Sequence, residues 1–309
     1  MSAAGARGPL LQRLWRYQAE RFPLARHGPL ILVFSGAALG YAGQLAARAP
    51  QPAVLAAATA VVLLQFLLMR VADEFKDDGD DRRWRPERPV PRGLVNLAEL
   101  AVLGAVAAAL QLILVLASAP AALPWLLVVW GWFLLMTAEF FRPAWLRHHL
   151  ALYALSHLLI VPLLALLAMA LLGPLPPRPG ALAAFLLCTY ACSWALELAR
   201  KTWPPEAERP GVESYSSRWG LRPALVTWWL CLAASALAAL VAAGWSGSVG
   251  VLVPLLAALL ALSLLALSLL PVAGRLWGGA QPLAGFTAAW ILVVYGALGW
   301  WPWLVGSGR

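Results

Sequence analysis

Nine apolar runs, each near the roughly 20 helical residues that cross a hydrocarbon core of about 30 Å, follow one another from Pro29 onward with short polar breaks between them. In lipid the backbone must satisfy its own hydrogen bonds, so segments of this kind are expected as helices. The pattern predicts spans at 29–47, 53–71, 95–117, 121–141, 148–172, 180–199, 222–243, 248–270 and 284–304. Composition agrees: 62% of the 309 residues are hydrophobic and 12% charged, against roughly 25% charged in soluble domains, which excludes a water-soluble fold. Several of the 17 tryptophans fall near span ends (Trp132, Trp145, Trp203, Trp219, Trp228, Trp300, Trp301, Trp303), as in an interfacial aromatic belt.

Nine spans place the N-terminus and the breaks after spans 2, 4, 6 and 8 on one side. Of the 23 Lys and Arg, 20 fall on that side, with Arg48, Arg178 and Arg309 opposite. The positive-inside rule makes it the cytoplasmic side. The first 27 residues carry five arginines but no compact apolar core ending in a small-residue cleavage site, so no cleaved signal peptide is expected. The net charge of +9 then reads as a topological signal and an attraction to anionic membrane lipids, not as nucleic-acid binding. An alanine- and arginine-rich composition points to a bacterial plasma membrane. Cys188, Cys192 and Cys231 all lie within spans and are expected as small packing groups, with no disulfide or metal role.

The chemistry is concentrated in the break after span 2, which holds every aspartate of the chain. Asp73, Asp77 and Asp81 are spaced i, i+4, i+8, so a helix continuing from span 2 would align their carboxylates on one face. Like charges at that spacing repel, and a cation between them would relieve the repulsion. Hard oxygen ligands suit Mg²⁺, which is commonly held by one or two carboxylates with water and a substrate phosphate. Arg82, Arg83, Arg85, Arg88 and Arg92 follow at once, and guanidinium groups bind phosphate bidentately. Acids followed by arginines could therefore hold a metal and the diphosphate it bridges. The plainer alternative is a solvated juxtamembrane charge cluster. Against it, Arg88-Pro-Val-Pro-Arg-Gly93 pins the chain into a defined turn before span 3.

The break after span 6 lies on the same face and brings Glu197, Arg200, Lys201, Glu206, Glu208 and Glu213. Residues of the two breaks can meet across a bundle, giving a cavity open to the cytoplasm with apolar walls.

At this point the chain resembles the UbiA superfamily of membrane prenyltransferases. That family's Asn-Asp-x-x-Asp-x-x-x-Asp motif is matched by Asp73-Glu74-x-x-Asp77-x-x-x-Asp81, and its Arg-Pro-x-Arg-Pro-x-Pro-x-Gly sequel by Arg85-Pro-Glu-Arg88-Pro-Val-Pro-Arg92-Gly93. In the second loop, Glu197, Lys201, Gly211, Ser214 and Gly220 match a looser pattern, but the family's second aspartate pair is missing. Phe141-Arg142-Pro-Ala-Trp-Leu-Arg147 resembles a family segment that contacts diphosphate.

The resemblance implies a fold: an all-α integral membrane bundle of about nine transmembrane helices with a cytoplasm-facing cavity. One domain would cover 1–309, with an N-terminal segment at 1–28, a first acidic loop at 72–94 and a second polar loop at 200–221. It implies a Mg²⁺-dependent transfer of an isoprenoid group from an allylic prenyl diphosphate to a lipophilic or aromatic acceptor, with release of diphosphate. Asp73, Glu74, Asp77 and Asp81 would hold metal, with Glu206 or Glu208 replacing the missing aspartates. Lys201, Arg88 and Arg147 would stabilise the leaving group, and Arg85 and Arg92 would add substrate contacts.

His157 lies inside span 5, where an ionisable group is a functional candidate by default. It is expected either to touch the acceptor or to be a neutral imidazole bonded to a neighbouring helix. Glu99 and Glu139 sit near span ends and are expected to pair with nearby arginines. Two other readings compete. A CDP-alcohol phosphotransferase motif needs two later aspartates, and none follows Asp81. A non-catalytic lipid or isoprenoid binder, or a transporter, would fit the degraded second loop, although transporters place ionisable groups near mid-membrane and these charges keep to one face.

Overall fold

The computed structural model describes residues 8–208, 212–273 and 281–306, with the side chains of 147, 265–273, 281, 305 and 306 left aside. Helices in chain order are α1 (Leu10–Arg21), α2 (Leu24–Leu45), α3 (Pro52–Lys76), α4 (Asp78–Trp84), α5 (Leu97–Ser118), α6 (Leu123–Thr137), α7 (Pro143–His148), α8 (Leu150–Leu158), α9 (Ile160–Leu172), α10 (Pro179–Arg200), α11 (Tyr215–Trp219), α12 (Leu221–Ser246), α13 (Val249–Ala273), α14 (Gln281–Tyr295) and α15 (Trp301–Gly306). No strand occurs among the described residues.

Among those residues, eight helical stretches are long and apolar enough to cross a membrane: α2, α3, α5, Pro120–Thr137, Leu150–Leu172, α10, α12 and Pro282–Leu304. The eighth apolar run of the sequence is also helical, as α13, with an apolar stretch at Val249–Leu264. This is an all-α integral membrane fold. Its first span starts earlier than the sequence predicts, at Leu24. Pro29 falls in the second turn and removes only one backbone bond there, so the helix runs through it. The run at 148–172 is two helices, with a break at Leu159 between α8 and α9.

Helix α2 forms the centre. Its residues from Phe34 to Gly43 are buried without interruption, as expected of a core helix. Gly36 lies against the Trp300 ring and Gly40 against the backbone of Gly299, leaving no room for a Cβ at either position; small residues permit this close helix approach in membranes. Tyr41 Oη donates to the carbonyls of Ala181 and Ala242, both at 3.2 Å, tying α2 to α10 and α12. By contrast, α5 turns Val102, Val106, Leu110 and Ile113 outward as a lipid-facing stripe.

The tryptophans divide between packing and boundary. Trp228 is buried and donates to Thr287 Oγ1 at 2.9 Å, Trp132 donates to the Ser156 carbonyl at 3.0 Å, and Trp300 to the Val33 carbonyl at 3.0 Å. These three bridge helices and do not form a belt; Trp145 and Trp301 are exposed.

Candidate active site

The C-terminal end of α3 and the short α4 are nearly one helix. Backbone bonds run from Asp77 N to Asp73 O (2.9 Å), Asp81 N to Asp77 O (2.8 Å) and Arg85 N to Asp81 O (2.9 Å). Asp73, Asp77, Asp81 and Arg85 therefore stand at successive turns, as their spacing predicts. After α4 the chain turns through Arg88–Gly93, where Gly93 takes a φ of 78°, and the Asn96–Glu99 capping box starts α5.

The four acids of this segment differ in their partners. Asp73, with 46% of its side chain exposed, lies 3.4 Å from Arg70 Nη1 and within the field of Lys76, Lys201 and Arg21. The Asp77 carboxylate makes no hydrogen bond or ion pair among the described residues. Burial first, then the charges of Asp73 and Asp81, push its carboxyl above the usual value, against the pull of Lys76 and Arg88. Asp81 is buried and accepts from Arg85 Nη1 at 3.0 Å and from Arg88 Nη1 at 2.8 and 2.7 Å. Glu74 is 1% exposed and bonded to Arg21 Nε at 2.5 Å. It belongs to the clamp that fastens α1, together with Arg13–Glu99 (2.6 Å) and Arg92–Glu20 (2.6 Å).

Across the bundle, Lys201 at the end of α10 lies 2.6 Å from Glu197 Oε1. Burial lowers the ammonium's pKa, but the charge and hydrogen bond of Glu197, with Tyr153, outweigh it and hold the group above the usual lysine value. Lys201 lies within the electrostatic field of Asp73, at the same end of the bundle. The second polar segment is closed on itself: Tyr215 N donates to Lys201 O at 2.8 Å and Trp203 N to Ser216 Oγ at 2.7 Å. Glu208 accepts from Ser214 Oγ at 2.7 and 2.8 Å and from Ser216 Oγ at 2.6 Å. Glu206 is exposed on a 3₁₀ turn, Pro205–Ala207.

A third wall was not anticipated. Lys76 Nζ is 3.1 Å from Tyr153 Oη and 3.4 Å from Glu139 Oε1. Tyr153 stacks on His157 with ring centroids 3.9 Å apart, and Phe140 meets His157 edge-on at 5.9 Å. His157 Nδ1 bonds the Tyr153 carbonyl at 2.8 Å, while its Nε2 is buried without a partner. Glu139, Phe140 and Phe141 all have positive φ, at 46°, 52° and 58°. Each left-handed L-residue costs about 1–2 kcal/mol, and strain of that kind persists where the surroundings over-determine it, often at functional sites. The sequence singled out His157 and expected Glu139 to pair with an arginine, whereas Glu139 lies against Lys76.

The sequence-designated residues thus separate into groups. Asp73, Asp77, Asp81, Arg85, Arg88 and Lys201 gather at one end of the bundle. Glu74 is a structural anchor, Arg92 is tied to α1, and Glu208 holds its own loop. The side chain of Arg147 and residue Gly211 lie outside the described residues. Among the described residues, no three His, Cys, Asp or Glu are grouped so as to hold a metal ion by themselves.

The bundle is that of a helical membrane protein with a cluster of charged side chains at one end. No protein-family model matches the sequence, and no curated protein matches it. Solved structures do. A UbiA homolog from Aeropyrum pernix K1 in its apo form aligns with a TM-score of 0.60 at 16% identity, over 92% of this chain and 98% of the other. A digeranylgeranylglyceryl phosphate synthase aligns with a TM-score of 0.56 at 17% identity, over 96% and 99%. A UbiA homolog from Archaeoglobus fulgidus bound to DMAPP and Mg²⁺ aligns with a TM-score of 0.54 at 12% identity, over 91% and 98%. The fold is that of the UbiA homologs.

Proposed function

We propose that the protein is a UbiA-type prenyltransferase that moves an isoprenoid group from an allylic prenyl diphosphate to a lipophilic or aromatic acceptor and releases diphosphate. The observation that carries the reading is the placement of Asp73, Asp77, Arg88 and Lys201 together at the polar end of this fold. Asp77 is the key to the metal fit: a carboxylate without a partner, repelled by two neighbours, is an arrangement that a divalent cation relieves. Asp73 and Asp77 would supply the one or two hard oxygen ligands that Mg²⁺ takes beside water and phosphate. Bound there, the ion would neutralise charge developing on the departing diphosphate.

Arg85 and Arg88 engage Asp81 through Nη1 alone, which leaves their Nη2 groups to donate to phosphate oxygens. Asp81 orients the two guanidiniums. Lys201, oriented by Glu197, donates from the opposite wall. As the C–O bond to diphosphate breaks, these fixed donors take up the negative charge without reorganising. The acceptor's nucleophilic atom then captures the allylic cation, its proton passing to the released diphosphate, beside the aromatic faces of Tyr153, Phe140 and His157. The orphaned Nε2 of His157 is the group placed to bond the acceptor.

The charge asymmetry supports a bacterial plasma membrane location with the N-terminus and the cavity facing the cytoplasm, and one domain for the whole chain. The test is thermal unfolding of the purified protein with geranylgeranyl diphosphate, with and without Mg²⁺. Binding to the native state at 100 times Kd adds about 2.7 kcal/mol, so a Mg²⁺-dependent rise is expected in the native protein and none in Asp77→Asn. No shift with prenyl diphosphates of several lengths would overturn the reading.

A further inference from the structure

A second divalent ion at this end of the bundle would need carboxylates from the segment between α10 and α12. The structure commits them elsewhere. Glu197 is on Lys201 at 2.6 Å, Glu208 holds Ser214 and Ser216, and Glu213 is on Arg218 at 2.7 Å. Glu206 projects from an exposed turn, and no aspartate follows Asp81. On the side where such an ion would act, two ammonium groups bear on Asp73: Lys201 from α10 and Lys76 from α3 itself.

Lys76 is built in with care. Its side chain is 14% exposed and is held between Tyr153 Oη at 3.1 Å and Glu139 Oε1 at 3.4 Å. Glu139 is delivered by the strained left-handed turn, so the backbone geometry there serves the position of this one ammonium. A carboxylate behind a lysine does not cancel it toward a phosphate; a Lys–Glu pair of this sort is how protein kinases direct a lysine at a nucleotide. Lys201 with Glu197 repeats the same arrangement.

Resting on the reading above, we infer that the centre works with one divalent cation, and that Lys76 and Lys201, each paired with a glutamate, occupy the place of a second. An ammonium is a compact charge that binds phosphate oxygen without carboxylate ligands of its own, which matches a second segment whose one uncommitted carboxylate, Glu206, projects from an exposed turn. Lys76, held on two sides, is fixed before substrate arrives, so its ordering does not weigh against binding.

The experiment counts ions. Mn²⁺, which suits the same hard oxygen sites, is titrated into the full-length protein with geranylgeranyl diphosphate present, and free Mn²⁺ is read by electron paramagnetic resonance. One ion per chain is expected; two would overturn the inference while leaving the prenyl-diphosphate reading intact. No ion bound by the native protein would instead remove both. Lys76→Gln should weaken prenyl diphosphate at saturating Mg²⁺ by about tenfold, equal to about 1.4 kcal/mol, with the count still one and Lys76→Arg partly restoring affinity. Because Lys76→Gln leaves Glu139 buried without its lysine, the double variant Lys76→Met/Glu139→Gln removes both charges together. Unchanged affinity in a folded form of either variant would overturn the role of Lys76.

Discussion

In the segment after α3, Asp73, Asp77 and Asp81 stand one turn apart and repel one another, and the Asp77 carboxylate has no partner among the described residues. In the segment after α10 three acids are satisfied, Glu208 by two serines, Glu213 by Arg218 and Glu197 by Lys201, and the fourth, Glu206, is exposed to solvent. Both stretches are acidic, sit at the same end of the bundle and are rich in arginine and proline. The difference is that repulsion left unrelieved in the apo protein is free energy available to a ligand, whereas a closed hydrogen-bond set has already been used for folding. Acidity alone does not mark a ligand site; unsatisfied acidity does.

The sharpest way to break this comparison is Asp77→Asn. Loss of a supporting residue at a metal site costs roughly 10- to 100-fold in affinity, and a ligand should cost more, so Mg²⁺-dependent binding of prenyl diphosphate is expected to fall by over about 100-fold in isothermal titration. Next in size, Glu208→Ala removes a charged acceptor from two buried hydroxyls, at about 1–3 kcal/mol. That loss should appear as a lower unfolding temperature in detergent, with metal affinity unchanged.

A third prediction concerns pH. The Asp77 carboxyl is held above its usual value by burial and by its two acidic neighbours. A raised carboxyl in the folded state means the native protein binds more protons than the unfolded chain there, so this group's contribution to stability grows as pH falls through that range and is lost as pH rises. Mg²⁺ affinity should run the other way, weakening as the medium is acidified, because proton and ion compete for the same oxygens. Parallel unfolding and binding curves between pH 4 and about 7 check both signs, and Asp77→Asn should flatten both. The smallest effect is expected for Glu206→Gln, which should leave stability and metal binding at native values by the same measurements; a loss of metal binding there would restore the second segment to the site.

Much of the architecture was legible because its cause is local. A run of some 20 apolar residues has one way to satisfy its backbone in lipid, and the nine runs are helical in order. The ladder from Asp73 to Arg85 was equally readable, since i, i+4 spacing becomes a shared face as soon as the helix continues. Boundaries were less so: Pro29 reads as the start of the first span yet lies inside a helix that begins at Leu24, and Trp228 reads as a boundary residue and is buried. The charged partners were least legible. Glu74 lies within the motif yet is bonded to Arg21, 53 positions earlier, and Lys76 looks like a solvated charge yet faces Tyr153, 77 positions later.

The sequence by itself determined that this chain lives in a membrane as a series of apolar helices, which end carries the acidic cluster, and which aspartates share a face. Those follow from transfer free energies and helical periodicity, which act between near neighbours. Only the tertiary structure decided which acids are already neutralised by a partner, that a strained turn at Glu139 brings a third wall to Lys76, and that the second segment keeps its carboxylates for itself. Ion pairing depends on distances of a few ångströms between residues far apart in the chain, and such distances are set only when the helices pack.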